Sequence, residues 1–527
     1  MLCATAVDPA LRPSQGHPLT DIAALSEHCR RNPRAPQPWA ELAAALQAAG
    51  RAAEAVAAAE RALALDPAHH LARTARAAAV AQLEATAPWL ARLELTAALK
   101  PEDAQAQLDL GQAYAGEDRP ADAERCFKQA LALKPGWAPA HAGLAAAYLS
   151  VGVEDGAVHH ARLALAAEPG QAVASQALAV LLERQGETAQ ARAVLDAAYA
   201  RQSLYVEPAA DSRFTVLVLA TQTDGNIPYR HLMPAPLYTR LIWFMEHARP
   251  ERLAQAPPYA VILNAVGDAD LGEAARPRIE QVLAASGRPA LNAPDKVART
   301  RRDRIGTLLG DISGVLVPPC VRLDAQTIAA HGLAKAAAVA GLQAPLLARP
   351  AGSHGGRGLT LAQDAAALDA LAWPAGEDAY VTAFHDYRGV DGGFRKGRMV
   401  FVDRRPLPYH WAVSDHWLVH YESAGMGERP DRRAEEAAFL ADPAAVIGEA
   451  ALAAIACIGE RLDLDYGGVD FSLLPDGRVL VFEANATMFV HPEAADGAFA
   501  YKNPAVTRIA DAFQAHLARL AGEGARA

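Results

Sequence analysis

Pro33, Pro67, Pro101, Pro135 and Pro169 stand 34 residues apart. A fixed period of that length dictates an architecture before any single residue is weighed. Each proline closes an Ala/Leu-rich run, as in AERALALDP, CFKQALALKP and ARLALAAEP. Without an amide donor, and clashing with the preceding turn, proline stops a helix where it stands. Alanine recurs in phase inside the period, at Ala55 and Ala62 in one unit and at Ala123 and Ala130 in another. Small side chains there let two helices approach closely. The phase runs from Pro36 to Ser203 as five units, Ser203 taking the last proline position, and a helix near Asp21–Arg31 is expected to cap the array.

One unit reads Leu110-Gly111-x2-Tyr114, then Ala123-x3-Phe127, Ala130 and Pro135. That pattern resembles the tetratricopeptide repeat, two antiparallel helices in 34 residues. The resemblance implies an all-α solenoid over residues 18–205, with a groove lined by the first helix of each unit. Carried onto this chain, the groove residues are Gln37, Gln47, Leu71, Thr74, Gln105, Leu108, Gln112, Leu149, Val173 and Gln176. Almost none is cationic, so the groove is expected to hold a neutral or mildly apolar peptide or protein segment rather than an acidic tail, or else to pack on the chain's own C-terminal half. A spacer or dimerisation role is equally compatible with the pattern.

Near Arg213 the composition changes. Apolar β-type runs appear at Phe214–Ala220 and Tyr259–Asp268, and the intervening LYTRLIWFMEHA and the following RPRIEQVLAAS read as helices. Alternation of that kind predicts an α/β layer with a parallel sheet. The five cysteines form no CxxC pair, the net charge is −10, and no run approaches the ~18 apolar residues of a membrane helix. The N-terminal stretch lacks the basic and apolar regions of a secretory signal. The expectation is a cytoplasmic protein with neither a nucleic-acid nor a membrane partner. The basic run Lys296–Arg304 is expected to be a solvated helix face.

Two later stretches carry chemistry. In APLLARPAGSHGGRGL a strand runs into a glycine loop, which can aim successive amides at phosphate. In VDFSLLPDGRVLVFEANA, Asp470 lies on one strand, Pro475-Asp476-Gly477 makes a turn, and Glu483 and Asn485 share a face of the next strand. Three oxygen-bearing side chains then converge on one hard cation. Magnesium takes a few carboxylate oxygens together with substrate phosphates.

Here residues 214–520 resemble the ATP-grasp superfamily, in particular the branch of glutathione synthetase and the ribosomal-protein glutamate ligase. NAPDKVARTRRDR is similar to the pre-grasp segment, PLLARPAGSHGGRG to the phosphate lid and VDF…VFEANA to the metal hairpin. The resemblance implies a multidomain chain: the all-α solenoid, an α/β pre-grasp domain at 213–322 and an α+β ATP-grasp fold at 323–522. It also implies ATP and Mg2+ as cofactors and a carboxylate–amine ligase working through an acyl phosphate, with a small amine or other nucleophile as second substrate. The metal ligands so implied are Asp470, Glu483 and Asn485. Arg349, Ser353, Gly355, Gly356 and Arg357 fall on the phosphate lid, and Val381, Thr382 and Phe384 on the adenine hinge. Arg395 and Arg357 are the implied catalytic cations, and His410, Ser414, His420 and His491 are candidate substrate contacts. Two positions depart from the pattern: Arg349 replaces a lysine, and Thr382-Ala383 replaces the hinge glutamate. They keep open a scaffold or nucleotide sensor with a degenerate grasp fold, and phosphoryl transfer to another acceptor is a further reading.

Overall fold

The structure is a computed structural model that describes residues 22–49, 51–86, 89–117, 119–209, 211–222, 224–234, 237–353, 356–421, 423–494 and 496–524. Its chain divides into two compact units, Met1–Gly186 and Glu187–Ala527.

The first unit is built of helical hairpins in the expected phase. After a helix at Ile22–Arg31 come the pairs Pro36–Ala48 with Ala52–Leu65, His70–Thr86 with Trp89–Leu99, Ala104–Gly116 with Pro120–Leu133, and Ala138–Ser150 with Glu154–Ala167. Ala172–Arg184 opens a further turn of the period. Ala55, Ala123 and Ala157, and Ala62, Ala130 and Ala164, are all fully buried, so the repeated alanines are the points of closest helix contact. The Phe127 ring fills the space left by two glycines. A Cβ at Gly111 would come within 2.6 Å of that ring, and one at Gly143 within 2.5 Å. Leu108 is not on an open groove as expected. It is 4% exposed and packs in the core with Tyr114 and Phe127.

A histidine pair sits in the last complete hairpin. His141 Nδ1 and His160 Nδ1 are 2.9 Å apart, with the rings stacked at 5.1 Å. Burial, then the proximity of His141, holds His160 down at about 4. A base depressed in the folded state binds fewer protons there than when unfolded. Its stabilisation is therefore complete above 6.5, the ordinary value, and is lost as pH falls from there toward 4. Hydrogen exchange of Ala138–Ser150 and Glu154–Ala167 is expected to reveal a loss on the order of 1–2 kcal/mol between pH 7 and 4.5. His160→Gln should flatten that dependence.

The second unit begins with a helix, Thr188–Arg201, whose Tyr199 stacks on Phe244 at 3.9 Å. The first sheet contains β1 (Leu204–Glu207), β2 (Phe214–Ala220), β3 (Tyr238–Phe244), β4 (Val261–Asn264) and β5 (Ala290–Leu291), in the order β1-β3-β2-β4-β5. β2, β3, β4 and β5 pair parallel, and β1 closes one edge antiparallel. LYTRLIWFMEHA, expected as a helix, supplies β3. That strand has neighbours on both sides and nearly all its residues are buried, and an apolar run buried on both faces has no period to betray it.

β6 (Val315–Leu316) runs parallel to the first two residues of the strand Val479–Asn485. β7 (Cys320–Leu323), β8 (Leu346–Pro350), β9 (Thr360–Ala362) and β10 (Ala379–Ala383) form the second sheet, in the order β7-β10-β8-β9. The third sheet consists of β11 (Phe394–Val402), β12 (Arg405–Ser414), β13 (Tyr466–Leu473), β14 (Val479–Asn485) and β6, in the order β12-β11-β13-β14-β6. β6 and most of β7, which fall in the expected pre-grasp span 213–322, thus pair in the later sheets. Among the described residues no helix is long and apolar enough to cross a membrane.

Candidate functional site

A cavity of about 600 Å3 is lined by residues of the second and third sheets and of the turn after the short helix Pro294–Ala298. That volume suits a small-molecule site. The hairpin β13–β14 sets the register, with Asp470 opposite Glu483, and Asn485 two residues on, opposite Gly468. A bulge follows Asp470, and another interrupts the β11–β12 ladder between Arg398 and Met399, where Tyr409 is the extra residue. Bulges aim two consecutive side chains toward one side, and Tyr409 and His410 both line the cavity.

Asp470 and Glu483 are not bare. Arg398 grips Asp470 with both ends of its guanidinium, at 2.6 and 2.9 Å, and Lys396 Nζ lies 2.7 Å away. Arg302 Nη2 is 2.6 Å from Glu483 Oε2. Burial pushes both carboxyls up, and these cations more than reverse it, holding both below the ordinary range. Asn485 Oδ1 accepts from the Thr487 backbone amide and hydroxyl. Among the described residues no cluster of three or more His, Cys, Asp or Glu side chains could hold a metal ion. The donors nevertheless fit a hard divalent cation, because two carboxylates face one another across a strand pair and magnesium needs only one or two besides phosphate oxygens.

The remaining expected residues divide sharply. Arg349 is 9% exposed and lines the cavity. Burial, then the neighbouring Arg302, lowers its guanidinium to about 10. Arg349 donates to the Ser353 hydroxyl at 3.1 Å and to the Ser353 carbonyl, so Ser353 fixes the arginine and is not itself a lining residue. Gly356, at φ +74°, is on the wall. Arg357 is exposed and off it. Gly355 lies outside the described residues.

At the hinge, Val381 is buried in the second sheet's core, while Thr382 and Phe384 reach the cavity. The amides of Ala383 and Phe384 already donate to the carbonyls of Pro319 and Pro345. Leu347, Phe384, Leu480 and Phe482 line the cavity at this end. Cys320, also on the wall, accepts from the Thr382 hydroxyl at 3.2 Å, and burial raises its thiol to about 11.

Arg395 is turned away from the cavity. It pairs with Glu435 at 2.6 Å and Asp391 at 2.7 Å, and it is absent from the wall. The expectation was one residue out of register. In a strand, Lys396 and Arg398 share the face opposite Arg395, and they are the cations that β11 turns to the cavity. The i, i+2 spacing pairs Lys396 with Arg398, but only the register against β13 says which face is turned inward. The basic run also differs from a solvated face, since Arg302 points into the cavity and Lys296 pairs with Asp463 at 2.7 Å.

Beyond Arg398 lies a ring-rich end. His410 is 7% exposed, its Nδ1 has no partner among the described residues, and burial and Arg398 hold it far below its ordinary value. Tyr409 Oη and His491 Nδ1 are 3.0 Å apart. Lys502, 2% exposed, pairs with Glu493 at 3.0 Å and lies 4.2 Å from the Tyr421 ring centre. His420 and His491 line the cavity, while Ser414 is buried away from it and accepts from the His416 amide.

Comparisons with known proteins bear mainly on the first unit. The tetratricopeptide repeat family matches residues 36–69 and 104–136. No curated protein matches the chain. Among solved structures, MamA is 19% identical over 34% of this chain and 86% of its own, with a TM-score of 0.19. YrrB, described as a repeat protein with an unusual peptide-binding site, is 19% identical over 34% of this chain and 93% of its own, with a TM-score of 0.22. The D-alanine–D-alanine ligase of Bacillus anthracis complexed with ATP is 13% identical over 59% of this chain and 99% of its own, with a TM-score of 0.35. The N-terminal part of this chain carries tetratricopeptide repeats.

Proposed function

We propose that the cavity is the nucleotide site of an ATP-grasp ligase that joins a carboxylate to an amine or related nucleophile through an acyl phosphate. The observation that carries this reading is the pair Asp470 and Glu483, opposed in register on the cavity wall. Arg301 and Lys502 also line the cavity but pair with Asp303 and Glu493 behind it, and Asp270 pairs with Arg322. Arg302, Arg349, Lys396 and Arg398 are then the cations gathered about the two carboxylates, a setting that suits a polyphosphate bringing its own divalent cation.

Asp470 and Glu483 would hold Mg2+, which when bound screens the phosphate charge and orients the γ-phosphoryl group. The chain's own contribution is electrostatic. Lys396, Arg398 and Arg349 are fixed donors aimed where negative charge gathers as the phosphoryl group leaves ADP for the carboxylate. His410, Tyr409, His420, His491 and Lys502 form the end where the acceptor would lie. The unpartnered His410 Nδ1 supports a polar substrate group there, because a buried polar atom without a partner is costly. The repeats would recruit a peptide or protein that carries one of the substrates.

Calorimetric titration with a non-hydrolysable ATP analogue tests the reading. Binding is expected with magnesium and at least tenfold weaker without it. Absence of binding at millimolar analogue would leave the repeats as the working part and make the chain a scaffold.

A further inference from the structure

The two carboxylates are held in different ways. Asp470 is fully buried and gripped by two cations from the adjoining strand. Among the described residues the close ion pair of Glu483 is with Arg302, which comes from the turn beyond Pro294–Ala298, while Lys396 and Arg349 attract it from farther off, and both members of the pair keep some exposure, 20% for Arg302 and 24% for Glu483. Arg302 also crowds Arg349, whose hydrogen bonds among the described residues all go to Ser353. Two guanidiniums therefore stand beside Glu483, with Asp268 the other carboxylate near both. The close contact to Glu483 is the one made by a residue of a separate loop.

We propose that Arg302 is the exchangeable partner of Glu483. It holds the carboxylate while the cavity lacks ligands and yields it to a divalent cation only when that cation arrives with a polyphosphate, to which the freed guanidinium then turns. The inference rests on the nucleotide reading of this cavity and adds an order of entry to it. A divalent cation entering alone would add its charge to that of Arg302, Arg349, Lys396 and Arg398 and would separate Arg302 from its close ion-pair partner. Entering with a polyphosphate, it brings anionic oxygens to which Arg302 and Arg349 can turn. A guanidinium is suited to either partner, since its fork matches carboxylate and phosphate alike. The Asp470 pair stays in place throughout, because it is built into the β11–β13 ladder.

The test is Mn2+ binding to the full-length protein, followed by water-proton relaxation with and without a non-hydrolysable ATP analogue. Arg302→Gln should bind Mn2+ alone at least tenfold more tightly than the wild type, and in the presence of magnesium it should bind the analogue at least tenfold more weakly. Adding Glu483→Gln to Arg302→Gln should erase the gain in Mn2+ affinity. Mn2+ affinity unchanged or reduced in a folded Arg302→Gln protein would overturn the exchange. Should that variant not fold, Arg302→Lys must show the same changes in sign at smaller size, and no change there is equally decisive. If the wild type fails to bind the analogue with magnesium, the nucleotide reading falls, while the comparison in Mn2+ alone still decides whether Arg302 guards Glu483.

Discussion

Asp470→Asn is expected to destabilise the second unit by about 3–5 kcal/mol, the cost of removing one partner from a buried ion pair. Asparagine keeps the shape, so the loss comes from the charge. Arg398 and Lys396 would be left at 2.6–2.9 Å from a neutral amide that cannot balance either of them. Asp470 itself is 0% exposed, and although Lys396 and Arg398 keep 24% and 17% exposure, two cations rather than one lose their shared carboxylate. The residue also sits where two ladders meet, opposite Arg398 on β11 and Glu483 on β14. Hydrogen exchange of Phe394–Val402 and Tyr466–Leu473 should therefore accelerate by a hundredfold or more. Exchange within threefold of the wild type would mean that the cations find other partners and that Asp470 is no keystone of the sheet.

How much of this was legible in the sequence follows from where each signal is stored. The repeats are written locally: every unit restates the same proline and alanines, and the buried Ala123, Ala130, Ala157 and Ala164 confirm the phase. The hairpin with Asp470 and Glu483 is local too, a turn with its two flanking strands. β3 was missed because burial on both faces removes periodicity, and Tyr238–Phe244 then looks as helical as it does extended. Arg395 comes from the family resemblance, and a resemblance does not fix strand register, in which one residue inverts every side chain. That register is fixed by the pairing of β11 with β13, some 70 residues away in sequence. Arg302 was out of reach for the same reason: its partner Glu483 is distant in the chain and nothing around Arg302 announces it. At the hinge, the pairing of the Ala383 and Phe384 amides with the Pro319 and Pro345 carbonyls is likewise set by the sheet and not by the residues between.

Glu483→Gln is expected to separate chemistry from architecture. Arg302 and Glu483 keep 20% and 24% exposure, so a guanidinium released from Glu483 can meet water, and the fold should lose no more than about 1–2 kcal/mol, far less than for Asp470→Asn. Binding should suffer much more. A neutral amide offers a divalent cation one weak oxygen in place of a carboxylate, and loss of that ligand is worth ~3 kcal/mol or more, roughly a hundredfold in magnesium-dependent affinity for the ATP analogue. Calorimetry read beside urea denaturation gives both numbers from one preparation. A hundredfold loss of affinity on a nearly intact fold would place Glu483 at the metal. Equal analogue binding in both proteins would remove it from any metal site and leave Arg302–Glu483 as a structural ion pair. A collapse of stability matching that of Asp470→Asn would make the two carboxylates one buried network, and the asymmetry on which metal entry depends would not exist.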